Sequence, residues 1–181
     1  MNISTEITGL IDEIKNDKIH GASQLARQAA NVIKVAAEHS QAETTVQFLD
    51  EQKETGQKLM SARPAMAPIS NIISHLLSTI AEKAAKTDLD SIKQFTISRV
   101  DKVITDSLQA IAKIAEQGSA LIANGDRIMT HSYSSTVAAS LKMAFTQHRN
   151  IEVITTRSGP RAHRRKDCSR TQPPWNTGHL H

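Results

Sequence analysis

Aromatic residues are scarce: three Phe, one Tyr and one Trp make up 3% of the 181 positions. That excludes a core built from large rings. Apolar residues reach 39%, led by Ala, Ile and Leu, a balance that favours helices packed closely on one another. Cysteine is nearly missing. Cys168 alone cannot form an internal disulfide, which fits a reducing compartment. No apolar run approaches the ~20 residues of a membrane span. The start, MNISTEITGLIDEIKND, is acidic and amphipathic and lacks the basic head and apolar stretch of a signal peptide. A cytoplasmic protein with no membrane partner is expected. There is no Gly-x-Gly-x-x-Gly loop, no His/Cys set at metal-ligand spacing and no paired carboxylates. No dinucleotide, metal or other cofactor is therefore expected.

Acidic charge is short only at one end. The chain carries a net +4. From Arg157 onward six basic residues face one acid, Asp167, so this stretch holds +5 and residues 1–156 hold −1. The body has no basic footprint, and a nucleic-acid partner is disfavoured.

What is present is helical periodicity. Ile7, Leu10, Ile11 and Ile14 recur at three- and four-residue spacing, and Leu25, Ala29, Val32, Ile33 and Ala36 do so after a break at Asp17–His20. A third helix is predicted over about 41–61, with Val46, Phe48, Leu49 and Leu59 on its apolar side. Pro64 disfavours helix at Arg63, and helix resumes over Ile69–Lys86. Thr87-x-x-Asp90 resembles a capping box opening the longest helix, to about Ala123. Its apolar face runs from Ile92, Phe95 and Val100 to Leu108, Ile111 and Ile114, suiting a bundle core or a dimer seam.

The character changes at Asn124-Gly125-Asp126. Arg127–His131 reads as a short strand, Ser132–Ser135 as a hydroxyl-rich elbow, Thr136–Thr146 as helix and Ile151–Thr155 as strand. That order is one βαβ unit, the opening of a parallel sheet. The expected fold class is α+β tending to α/β. A helical domain (1–123) precedes the start of an incomplete Rossmann-like domain (124–160), and 161–181 form an atypical basic tail.

Three places could carry chemistry. The elbow Thr130–Thr136 lies between a strand end and a helix start, where amides and the helix dipole favour an anion. Its hydroxyls, Ser132, Ser134 and Ser135 among them, fit a phosphate site or simple N-capping. Arg63 before Pro64 is either a phosphate clamp or a lone surface arginine. His20-Gly21-Ala22 is a glycine-containing helix start.

These three places occur in an order that resembles a known superfamily. Residues 59–77, LMSARPAMAPISNIISHLL, resemble the "ARPT" region of the initiation factor 2B alpha/beta/delta-like proteins and related sugar-phosphate isomerases. GDRIMTHSYSSTVAASLKMAF resembles their "ILTHCNAGALAT" or "ILTHAYSRVV" region, IEVITTRSGP their "VIVTETRP" turn, and KIHGASQLARQAANVI their "RGA" helix start. The resemblance covers roughly residues 7–160. It implies a helical domain followed by a Rossmann-like one, dimerisation or assembly with related subunits, and a phosphorylated sugar or nucleotide as ligand. Gly21, Ala22 and Arg63 match its phosphate-binding positions.

The sequence departs from the isomerase branches at telling points. Ser132 stands where they use a catalytic Cys, and a hydroxyl supplies no ready thiolate. His20 replaces the "RGA" Arg, and Ser158 replaces the "ETRP" Pro. No catalytic residue is expected, and HSYSSTV is closer to the regulatory pattern. A regulatory, initiation factor 2B-like protein is the preferred expectation. A ribose-1,5-bisphosphate or methylthioribose-1-phosphate isomerase is the alternative.

After Gly159-Pro160 the apolar periodicity stops, and RAHRRKDCSRTQPPWNTGHLH holds the only Cys and the only Trp. Back-translated with a one-base offset, this tail can encode an amphipathic helix, a glycine stop and a strand start. A shifted reading frame is therefore expected, with a disordered or nucleic-acid-binding basic tail as the rival.

Overall fold

The computed structural model describes residues 4–131, 133–147 and 149–156; the expectations for Ser132, for Arg157 and Ser158 and for the tail lie outside these. The chain divides into two compact units, Met1–Gln109 and Ala110–His181. Six helices and two strands are described: α1 (Thr5–Asn16), α2 (Ala22–Glu38), α3 (Thr45–Ala62), α4 (Ala67–Ala84), α5 (Leu89–Ala120), β1 (Arg127–Thr130), α6 (Ser135–Thr146) and β2 (Glu152–Thr155). The architecture is α+β and mostly helical.

In the N-terminal unit, α1 starts at Ser4, whose Oγ accepts from the Ile7 N–H at 3.3 Å. It buries Ile7, Ile11 and Ile14. Helix α2 buries Leu25, Ala26, Ala29, Ala30, Val32, Ile33 and Ala37, a face whose small residues let neighbours approach closely. Helix α4 contributes Ile69, Ile73, Leu76 and Ile80, all fully buried. Each such aliphatic side chain contributes about 1.5–3 kcal/mol by leaving water.

Three boundaries and faces differ from the periodicity. The third helix starts at Thr45, not near 41, because Thr44 and Gln47 make a reciprocal capping box. Val46, expected on the apolar side, is 68% exposed in that first turn. The start of α5 is capped by Asp88 rather than Thr87. Asp88 accepts from the Ser91 N–H (2.9 Å) and from the Ser91 hydroxyl (2.8 Å). Thr87 instead donates its hydroxyl back to the Lys83 carbonyl at the end of α4. Along α5 the apolar face is buried at Ile92 and Val100, while Leu108 and Ile114 are about half exposed.

In the N-terminal unit, polar side chains are buried at Gln52, Thr55 and Thr96. Gln52 of α3 is fully buried. With its amide oriented to satisfy both neighbours, it donates to the Ile33 carbonyl (3.1 Å) and accepts from the Ala37 N–H (3.3 Å) of α2. Gly56, one turn on, lets α4 approach: a Cβ there would lie 2.7 Å from Leu77 Cδ1 and 3.0 Å from Ile73 Cγ2.

In the C-terminal unit, β1 and β2 pair in parallel, with Arg127 opposite Glu152 and Thr130 opposite Thr155. Helix α6 is their connection, so the segment is a βαβ unit. Gly125 takes φ +89°, a conformation glycine adopts without strain, and donates to the Asn150 carbonyl. Arg149 donates to the Ser119 and Ile122 carbonyls, closing the end of α5. Leu141 and Ala144 of α6 are buried with Ala115 and Ser119 of α5. Among the described residues no helix is long and apolar enough to cross a membrane.

Candidate functional site

Helix α1 ends at Asp17, which organises the turn into α2. Its Oδ1 accepts from the N–H groups of Ile19 (2.9 Å) and His20 (2.8 Å), and its Oδ2 lies 2.6 Å from His20 Nδ1. The His20 backbone N–H, followed by the His20 ring, lowers this carboxyl to about 2.

Arg63, at the end of α3, reaches the same turn. Its Nε donates to the Ile14 carbonyl at 3.1 Å, and its Nη2 donates to the Asp17 carbonyl. The half-buried guanidinium thus closes the C-terminus of α1, where unpaired carbonyls and the negative dipole end collect. Two of its five N–H groups are engaged there.

Gly21 is the N-cap of α2 and offers no side-chain cap. The Gln24 and Leu25 amides both donate to the Gly21 carbonyl, and Ala22 opens the helix. The first amides of a helix have no intrahelical acceptor. Arg63, Asp17 and His20 are therefore joined by hydrogen bonds at the turn that leads into Gly21. Beside it lies an open groove of ≈ 890 Å³, lined by α1, α2 and Ile104 of α5.

The second place is the end of the parallel strands. Ser134 caps α6, its Oγ accepting from the Val137 N–H at 3.4 Å. Ser135 is the first helical residue and is half-buried. Ser132, the third hydroxyl singled out from sequence, lies outside the described residues. Just past β2, the Thr156 N–H donates to the Thr130 carbonyl (3.1 Å). The Thr156 hydroxyl donates to the His131 carbonyl (2.7 Å) and lies 3.1 Å from His131 Nδ1. With its hydrogen committed to the carbonyl, that hydroxyl accepts from Nδ1–H, which assigns the tautomer from the network. Hydroxyls and helix-start amides thus gather at the C-terminal ends of both strands. Such ends favour oxyanions.

Sequence reading did not single out Asp17, Thr156 or Arg27 of the groove. An Asp at a helix end, three residues before the His-Gly pair, is a legible turn signal. Thr156 follows the strand as the second of a Thr pair. Arg27 sits mid-helix, where only tertiary structure shows its surroundings. Among the described residues no cluster of three or more His, Cys, Asp or Glu is placed to hold a metal.

The model of the initiation factor 2 subunit family matches residues 18–172, which includes part of the segment expected to be out of frame. A ribose 1,5-bisphosphate isomerase of Pyrococcus furiosus is 34% identical over 161 residues, covering 88% of this chain and 49% of that protein. A putative translation initiation factor eIF-2B subunit 2-like protein of the same organism is 29% identical, covering 86% of this chain and 51% of that protein. Among solved structures, the tetrameric eIF2B-beta2-delta2 complex from C. thermophilum is similar with a TM-score of 0.75. The likeness covers 90% of this chain and 54% of that one, and at 22% identity it is a likeness of fold. The chain spans about half the length of the relatives it matches.

Proposed function

Because the chain belongs to the initiation factor 2 subunit family, we propose that it is a cytoplasmic interaction or regulatory protein of the initiation factor 2B type. In this reading it holds a phosphorylated sugar or nucleotide without converting it. The observation that carries the reading is Ser132, which stands where the isomerases of the resemblance use Cys. A hydroxyl is a far weaker acid than a thiol, so the position offers oxyanion hydrogen bonding rather than thiolate chemistry.

The proposed ligand positions are Gly21, Ala22 and Arg63 in the N-terminal unit, and Ser132, Ser134 and Ser135 in the C-terminal unit. The α2 start, which no side chain caps, and the Arg63 guanidinium, with two of its five N–H groups engaged, support the first group. The hydroxyls at the strand ends support the second. Residues 1–123 are proposed as a helical domain and 124–160 as the opening of a Rossmann-like domain. Partners are proposed to be a second copy or related subunits, as the β–δ assembly of the structural neighbour suggests.

The second reading is an aldose-ketose isomerase, favoured by the name of the 34% identical relative. One experiment separates the two. The chain is incubated with ribose 1,5-bisphosphate, and separately with methylthioribose 1-phosphate. Phosphorus NMR follows turnover, and thermal shift follows binding. Stabilisation without product is the expected result. Product from either substrate overturns it in favour of the isomerase, and no stabilisation by any phosphorylated sugar or nucleotide removes the retained site.

A further inference from the structure

The groove between α1 and α2 holds a charge that no ion pair answers among the described residues. Arg27 lines it, half-buried, three residues beyond Gln24 on the face that also carries Gln28 and Asn31. Its one polar contact among the described residues is weak and uncharged, Nη1 to Ser107 Oγ at 3.4 Å. Two carboxylates line the same groove. Asp17 is already committed to Ile19 and His20, and Glu13 is exposed on α1. Neither pairs with Arg27. The guanidinium is half-buried rather than withdrawn from water, and among the described residues no carboxylate answers its charge. Planar guanidinium donors match a carboxylate or phosphate through two parallel bonds. Around it, Gln24 and Gln28 offer amides at helical spacing, and Leu10 and Ile104 offer apolar surface. Eight of the twelve lining residues are polar or charged, a lining suited to a small polar molecule.

We propose that this groove is a ligand site of its own, in which Arg27 binds the oxyanion of a small polar molecule, a phosphate monoester or a carboxylate. It lies wholly within the N-terminal unit and does not depend on the strand-end elbow. Glu13 sets a limit on the ligand's charge, because a second anionic group directed at α1 meets a carboxylate.

The test is a nitrogen-15 NMR titration of the whole chain with inorganic phosphate and, separately, with acetate. The Arg27 Nε–H and the side-chain amides of Gln24 and Gln28 are expected to shift together with one affinity. Arg27→Gln is expected to weaken that affinity at least tenfold, Arg27→Lys to retain part of it, and Glu13→Gln to strengthen it. A larger response to either probe supports the site and names its oxyanion class. Silence at Arg27 with both probes overturns the proposal, whether or not the variants fold. Shifts confined to the 134–138 amides overturn it while leaving the strand-end reading intact.

Discussion

Arg63 acts through an arrangement its local sequence does not reveal. The carbonyls it binds belong to residues 49 and 46 positions away along the chain. Nothing near Ala62-Arg63-Pro64 announces them, so the local sequence favours the far commoner surface arginine over a phosphate clamp. Hydrogen bonds to charged groups contribute about 1.5–3 kcal/mol each when formed. Arg63→Ala is therefore expected to lower stability by about 2 kcal/mol in urea unfolding. An unchanged midpoint would remove the capping role. Asp17 makes a pH-dependent contribution at the same turn. Its folded pKa of about 2 is below the ordinary value, chiefly through the His20 N–H. Its stabilisation is thus complete above the unfolded value, ~3.9, and is lost as pH falls toward the folded one. Urea midpoints measured from pH 5 to pH 2 should fall less steeply for Asp17→Ala than for the parent chain.

Among the elements, helices were legible wherever apolar residues recurred every three or four positions, because that spacing is itself the buried face. Their ends were less legible, because several hydroxyls and carboxylates compete for each cap. Thr87 and Asp88 are adjacent candidates, and the structure gives the cap to Asp88. Asp88→Ala should lower the melting midpoint more than Thr87→Ala does. Equal effects in thermal denaturation would contradict that assignment. The βαβ order was readable because Asn124-Gly125 marks the turn before β1 and the polar elbow marks the end of it. The α3–α4 crossing at Gly56 was not readable, since an isolated glycine in a helix pattern has no unique cause. Gly56→Ala gains about 1 kcal/mol of helix propensity. It also presses on Leu77, which is half-buried and can turn away, and on Ile73, which is fully buried. The two effects should nearly cancel. Gly56→Val adds branching against Ile73 and should cost about 1–3 kcal/mol by overpacking. Calorimetric melting of the pair checks both.

At the scale of the molecule, the Ala-rich face of α2 poses a problem that burial alone does not solve. Small residues repeated along a helix offer a partner several nearly equivalent resting places. Gln52 breaks that degeneracy, since its amide fits the Ile33 and Ala37 backbone groups at one setting of α3 against α2. Those two groups are helical partners four residues apart, so replacing Gln52 orphans neither of them. Gln52→Leu should therefore change the melting midpoint little, about 1 kcal/mol or less in stability. Its effect should instead be seen in proton–nitrogen spectra, as doubled or broadened α2 and α3 resonances. The buried amide would then determine how many native states the bundle has, rather than how deep the lowest one lies.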